Sequence, residues 1–331
     1  MPPPHIIPLD TSRVDAAAQL LALQQVRSRR LRPELPEAFT HVDATRPLID
    51  AQLAAAGAHC VAAFDGGEMV AFLIGAPRYE PIWNRAAWSP IEGQAIHPDA
   101  DRDVLRDVYA VWSQHWVDRG IFFHYVHAPA DDRAAQDAWI DLNFGRMQAH
   151  ALLALDAVPA ADADAFEIRR MAPDEGDLID QLKPLIAVHQ TTTPAYAITL
   201  PERFEAMDAD YAEDLADPDS HYWVALDAGA AVGIAGFYPM PPGTMVPEGA
   251  WELGVAMTAP EARGRGVQRA LLAAGAEEMR ATGATHIVTD WRTANLLSSR
   301  SWMRLGFLPT HYRMHRAIDQ RVAWAGNVAG R

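Results

Sequence analysis

Residues Arg263-Gly264-Arg265-Gly266-Val267-Gln268-Arg269 combine two glycines, three arginines and no acid. Glycine lets the backbone turn tightly and lets a ligand approach it closely. Arginine donates charge-assisted, bidentate bonds to phosphate oxygens. The run from Gln268 to Arg280 reads as a helix, whose free N–H groups and positive dipole end point back at the turn. A strand-like run, Trp251 to Thr258, precedes it. Strand, glycine turn and helix N-terminus together make an anion cradle suited to a pyrophosphate.

Upstream of the cradle, strand alternation puts Glu252, Gly254, Ala256 and Thr258 on one face. Trp251, Leu253, Val255 and Met257 are expected to face the other way, into a core. Glu252 is a carboxylate whose pKa partial burial would raise. The plainer reading is a strand-end carboxylate that is solvated or paired with an arginine.

The elements that must position these residues occupy the second half of the chain. Glu167–Arg170 reads as a strand, Asp177–His189 and Pro201–Ala216 as helices. Strands His221–Leu226 and Ala231–Tyr238 flank a turn at Asp227-Ala228-Gly229, and the cradle strand and helix follow. Strand Thr285–Trp291, helix Asn295–Leu305 and a last strand over 310–315 complete the order β-α-α-β-β-β-α-β-α-β. This predicts an α/β fold with a mixed central sheet and helices on both faces. The proline-rich stretch Pro239–Pro247 reads as a rigid loop or a pocket wall.

The first half repeats the second. Gly120 to Trp139 and Gly283 to Trp302 span the same 19 positions, and Trp302-Met303-Arg304-Leu305-Gly306-Phe307 lies over Trp139-Ile140-Asp141-Leu142-Asn143-Phe144 at an offset of 163. Asn143 stands for Gly306, and Asn tolerates the left-handed backbone best after glycine. The expected organisation is a first α/β unit over 1–156, a linker over 157–165 rich in Ala, Asp and Pro, a second unit over 166–318 and a tail over 319–331. At the same offset Arg263, Gly264, Gly266 and Asn295 fall on Ala100, Asp101, Asp103 and Asp132. Carboxylates near a pyrophosphate repel it by roughly 1 kcal/mol or more per close pair. The first half is therefore expected not to bind such a ligand, and to serve as structure or as a wall of the acceptor pocket.

Composition bounds the partners. With 28 Lys+Arg against 43 Asp+Glu the net charge is −15, which argues against nucleic acid. The field favours a neutral or cationic acceptor, and an anionic ligand needs a local basic patch such as 263–269. Cys60 is the sole cysteine, in an apolar run, so it reads as a buried structural thiol. No secretory signal or membrane-length apolar run is visible, so the expectation is a cytoplasmic protein. A monomer and a homodimer are both open.

The second half resembles the GNAT superfamily of N-acetyltransferases. The resemblance is carried by the strand Glu252–Thr258, the Arg-x-x-Gly-like stretch from Arg263, and Asn295 followed by Trp302-Met303-Arg304-Leu305-Gly306-Phe307. It implies two tandem GNAT-like domains, the first degenerate, and acetyl-CoA as acyl donor with no metal. It implies further that Ala256, Met257 and Thr258 lie along the pantetheine arm and that Arg263, Gly264, Arg265, Gly266, Val267, Gln268 and Arg269 hold the pyrophosphate. Asn295 would stand near the thiol end, with Glu252 as the base. The activity implied is N-acetylation of the primary amine of a small molecule. The alternative is a CoA-binding sensor or scaffold without efficient turnover.

Two positions depart from the family pattern. Gln268 stands where Gly or Ala is usual, and Trp302 stands where many members carry a proton-donating tyrosine. Indole N–H is no practical acid, and Trp139 at the equivalent place favours a packing role for both tryptophans. Ser298 and Ser299 are candidates to hydrogen-bond the sulfur or are ordinary surface hydroxyls. Thr191–Pro194, Tyr196, Tyr222, Trp223 and Tyr238 are weaker pocket candidates, and aromatic core is the usual explanation for such rings. His124 and His127 alternate to opposite sides of a strand and make a poor metal pair.

Overall fold

The computed structural model describes residues 4–161 and 166–325. Of the linker expected over 157–165, residues 162–165 lie outside the described residues, as do 326–331 of the tail. The first repeat runs β1 (His5–Pro8), α1 (Val14–Leu31), α2 (Val42–Ala54), β2 (His59–Asp65), β3 (Glu68–Arg78), β4 (Ala86–Trp88), β5 (Gln94–Ile96), α3 (Val104–Val117), β6 (Phe123–Pro129), α4 (Arg133–Asp141) and β7 (Gly145–Ala154). The second runs β8 (Glu167–Arg170), α5 (Gly176–Thr191), α6 (Pro201–Ala216), β9 (His221–Asp227), β10 (Ala230–Pro239), β11 (Ala250–Thr258), α7 (Val267–Ala281), β12 (His286–Arg292), α8 (Leu296–Arg304) and β13 (Leu308–Ala317), with a short α9 (Val322–Ala325) after it.

Two compact units form, and they are not the two sequence repeats. One holds the chain through Gln148 together with the chain from Thr310; the other holds Ala149–Pro309. Most of β13 therefore belongs to the first unit, where His311–Ala317 pairs antiparallel with β6. The greater part of β7 belongs to the second unit, where it neighbours β12. Each repeat surrenders its last strand to the unit built from the other.

In the first unit the strand order is β1-β2-β3-β4-β6-β13, with β5 also on β3. Alternate residues of β3 enter opposite layers, as the pleat requires. Phe72 and Ile74 pack with Leu21 and Ile49 of α1 and α2. Ala71 and Leu73 pack with Tyr109, Trp112 and Trp116 of α3 and with Trp139 of α4. The second unit has the order β8-β9-β10-β11-β12-β7, antiparallel along β8 to β11 and parallel between β11 and β12. α5 packs against β10 and β11, and α7 covers the other face, where Val267 and Leu271 close on Gly233.

The repeats share local devices. Gly306 and Asn143 both adopt positive φ, 99° and 64°, which is why a glycine can be replaced there by asparagine and by little else. Trp302 packs edge to face on Phe307 at 5.6 Å, and Trp139 on Phe144 at 5.1 Å. Asn295 caps α8 by accepting from Ser298 N, as Asp132 caps α4 by accepting from Ala135 N. Such caps stabilise a helix start by about 1 kcal/mol.

Candidate active site

The cradle forms at the N-terminus of α7. Gly264 and Gly266 take φ of 77° and 90°, and a Cβ at either would meet nothing within 4 Å. The turn is open space bounded by backbone. Among the described residues, the N–H groups of Gly264, Gly266, Val267, Gln268 and Arg269 have no protein acceptor. Arg263, Arg265 and Arg269 are exposed around them. Arg265 is bonded to Asp227 at 2.8 Å and stacks over Phe166. Five unengaged donors, a helix dipole and arginines on an open turn fit a pyrophosphate by the chemistry of the donor set.

The same place in the first unit is closed. Val104 N, Leu105 N and Arg106 N bond to the carbonyls of Asp101, Arg102 and Asp103, and Asp103 N bonds to the Asp101 side chain. Arg102 folds inward onto Asp132 and the carbonyls of His97 and Ala100. The donors that α7 leaves unengaged are satisfied within the chain at α3.

Gln268 does not lie across the cradle. Its side-chain amide donates to Met257 O at 2.6 Å, Thr258 Oγ1 at 3.0 Å and Ile234 O at 3.3 Å. The departure from Gly or Ala at this position thus becomes a staple between α7, the middle of β10 and the end of β11.

A free strand edge leads to the cradle. β11 pairs with β12 only over Ala250, Trp251 and Glu252, then the two diverge. Thr289 Oγ1 donates to Leu253 O at 2.9 Å and marks the point of separation. Among the described residues, the β12 side of β11 has no strand partner from 253 to 258. A strand edge of this kind offers peptide groups to an extended, amide-bearing ligand. In the first unit the corresponding strand is broken into β4 and β5. Its gap to β6 is filled by Ser89 N on Tyr125 O at 2.9 Å, His127 Nδ1 against Ser89 O at 2.9 Å, and Gln94 on His127 O.

Simple alternation on β11 fails at one residue. The register with β10 shifts between Gly236 and Phe237, so that Phe237 faces Leu253 and Gly236 faces Val255, with Gly254 the extra residue. A bulge of this kind inverts the faces beyond it. Glu252 therefore shares its face with Gly254, Val255 and Met257, whereas Ala256 and Thr258 turn towards α7. The expected grouping of Glu252 with Ala256 and Thr258 is corrected on this point, and Val255 is only half-buried. Glu252 stands on the α5 and α6 side of the sheet, away from α7.

Glu252 is half-buried. Burial pushes its carboxyl above the usual range, and the nearby Asp290 carboxylate adds to this. Among the described residues it has no cation or hydrogen-bond partner, so it is not paired with an arginine. Asn295 is buried, and its Oδ1 also receives His189 Nε2 at 2.9 Å. Its oxygen is thereby engaged within the protein and its Nδ2 is the group left for a ligand. Trp302 is 6% exposed and packed. Tyr196 is exposed, Tyr222 buried and Trp223 half-buried. His124 meets Tyr109 Oη at 2.7 Å and His127 meets Ser89 O, on opposite sides of β6. Sequence reasoning missed Thr289, His189, Asp290 and Asp214. For Thr289 and Asp290 the one available signal was their place on the strand after the cradle helix.

A splayed parallel strand pair, a bulged central strand and an open glycine turn at a helix N-terminus define an acyltransferase fold of the kind that takes acyl-CoA. Residues 185–307 match the model of the acetyltransferase (GNAT) family. Among solved structures, the chain is similar to a GCN5-related N-acetyltransferase from Sphaerobacter thermophilus, at 16% identity and a TM-score of 0.59, over 96% of this chain and 98% of that one. It is similar also to a fungal glucosamine N-acetyltransferase region within a multi-domain GH3 β-N-acetylglucosaminidase, at 15% identity and a TM-score of 0.54, over 95% of this chain and 38% of that one. A tandem GNAT protein from the clavulanic acid biosynthesis pathway aligns at 16% identity and a TM-score of 0.49, over 95% of this chain and 98% of that one. At these identities the likeness is one of fold. No curated protein matches the chain. The chain carries a GNAT acetyltransferase domain, and the GNAT fold extends over both of its units. No described helix is long and apolar enough to cross a membrane.

Proposed function

We propose that the second unit transfers an acetyl group from acetyl-CoA to the primary amine of a small molecule. The observation that carries this reading is the set of unengaged N–H groups at Gly264 and Gly266–Arg269, set against the internally satisfied α3 of the first unit. On this reading Arg263, Gly264, Arg265, Gly266, Val267, Gln268 and Arg269 hold the pyrophosphate, and the backbone edge over Ala256, Met257 and Thr258 receives the pantetheine arm. Asn295 reaches the thiol end through its Nδ2. The bound thioester supplies an acyl carbon with a thiolate leaving group.

Glu252 takes the proton of the acceptor ammonium at its carboxylate oxygen. Its raised pKa suits this task, since a base works best when its pKa lies near the operating pH. Its face of the sheet, opposite α7, keeps the amine and the cradle on different sides of β11. The bulge at Gly254 turns peptide groups out of the ladder beside it, where a developing oxyanion can be stabilised. Trp302 is packed and plays no acid role, so the departing thiolate takes its proton from the amine or from water. The first unit serves as structure and binds no CoA.

Calorimetry with coenzyme A and a CoA-release assay over a panel of amines test the proposal together. Binding with turnover on at least one amine is expected. Binding without turnover on any amine would favour a CoA-responsive sensor, and absence of binding would remove both readings.

A further inference from the structure

Two tyrosines and two glycines surround the β11 bulge in a matched arrangement. Tyr222 of β9 stands opposite Gly236 of β10, and Tyr238 stands opposite Glu252. A Cβ on Gly236 would lie 2.8 Å from Tyr222 Cζ, and a Cβ on Gly254 would lie 2.9 Å from Tyr238 Cε2. Each glycine beside the register shift thus has a tyrosine ring set against one side, closer than any side chain there would admit. The site of that absent Gly254 Cβ is also 3.8 Å from Glu252 Cδ. The Tyr238 ring and the Glu252 carboxyl flank the same short piece of backbone.

Both hydroxyls converge on one acid. Tyr222 Oη and Tyr238 Oη reach Asp214 Oδ2 at 2.8 and 3.0 Å and also meet each other. Two phenolic protons serve three contacts, so at least one proton must be given to the carboxylate. Burial raises both phenols well above the ordinary value, which keeps them neutral donors. Of the acids on α6, Asp208 pairs with Lys183 and Asp210 with Arg203, while Glu202, Glu205 and Glu213 are exposed. Asp214 is the α6 acid that these contacts bring to the sheet.

We infer that Asp214 is a positioning residue: through Tyr222 and Tyr238 it clamps α6 onto the bulge and fixes where the Glu252 carboxyl is presented. The clamp rests on geometry alone, and its kinetic consequence rests on the acetyl-transfer reading above. Without the tie, the Tyr238 ring leaves Gly254 and more water reaches Glu252.

The test is an NMR titration of Glu252 in protein labelled with 13C-glutamate, its signal assigned by Glu252→Gln, alongside kinetics. In Asp214→Ala the Glu252 midpoint falls towards the ordinary value as more water enters. In Asp214→Asn, which keeps an acceptor oxygen, the midpoint stays close to that of the unaltered protein. With a working amine, kcat falls about tenfold in Asp214→Ala and about twofold or less in Asp214→Asn, with coenzyme A affinity unchanged. An unmoved midpoint, or an unchanged kcat, in folded Asp214→Ala overturns the inference. Should that variant not fold, Tyr238→Phe keeps the ring and loses the tie, and an unmoved midpoint there overturns it equally. Failure of every amine in the unaltered protein would count against acetyl transfer, whereas the titration would still decide the clamp.

Discussion

The cradle makes a ranked prediction about its charges. Arg263 and Arg269 are exposed and have no carboxylate partner among the described residues, while Arg265 is bonded to Asp227. An exposed guanidinium near a phosphate contributes about 1 kcal/mol in a well-solvated setting, or about fivefold in affinity. Arg263→Gln and Arg269→Gln should each weaken coenzyme A binding by about that factor, and the double variant by about 30-fold. Binding should survive in the double variant, because the peptide donors of Gly264 and Gly266–Arg269 remain. Asp227→Asn removes a negative charge from the same turn and should strengthen binding. It should barely alter folding stability, since exposed ion pairs contribute about 0 to 1 kcal/mol. The assay is calorimetry at about 0.05 M and about 0.5 M salt, where screening lengths differ about threefold. The arginine effects should shrink at the higher salt. Unchanged affinity in the double variant, or weaker binding in Asp227→Asn, would refute the placement of the ligand.

Three further outcomes follow from the same contacts. Glu252→Gln should abolish the acid limb of the pH profile of kcat/KM, which lies above the usual carboxylate range because burial raises that carboxyl; coenzyme A affinity measured by calorimetry should be unaltered. Gly275→Ala would place a Cβ 2.6 Å from Phe237 Cε2, and overpacking of this kind should lower stability by about 1 to 3 kcal/mol in thermal unfolding. Burial holds the His124 imidazole down at about 4, against an ordinary value of 6.5. The folded state therefore resists a proton that the unfolded chain accepts. The stability that depends on neutral His124 is complete above 6.5, declines as pH falls below it, and is lost by about 4, a change of up to about 3 kcal/mol. Urea unfolding of the protein and of His124→Phe across this window should show a flatter dependence in the variant.

Much of the second unit was legible because its signals are local. Pro201 at a helix start and the fall of periodicity after Ala216 delimit α6, and the structure places the helix at those residues. Asn143 was readable as a left-handed position from its match to Gly306 alone. The cradle was readable because glycine and arginine spacing encodes it directly. The bulge was not, since Gly254 is one glycine among several and only the Tyr238 ring above it gives it meaning. Asp214 was hidden among the other acids of α6, which alternate like any solvated face until packing selects one. The fate of the last strands was equally hidden. β7 and β13 follow equivalent turns at Asn143 and Gly306, and nothing local says which partner each will take.

That exchange of last strands governs how the chain must be made. During synthesis β6 emerges long before Thr310 to Ala317, so its edge waits exposed until the second repeat has left the ribosome. Early-emerging modules usually close upon themselves; this one is finished by a strand made much later, which raises the loop-closure cost and slows assembly. Either repeat produced without the other would lack an edge strand of its unit and expose a pairing surface prone to aggregation.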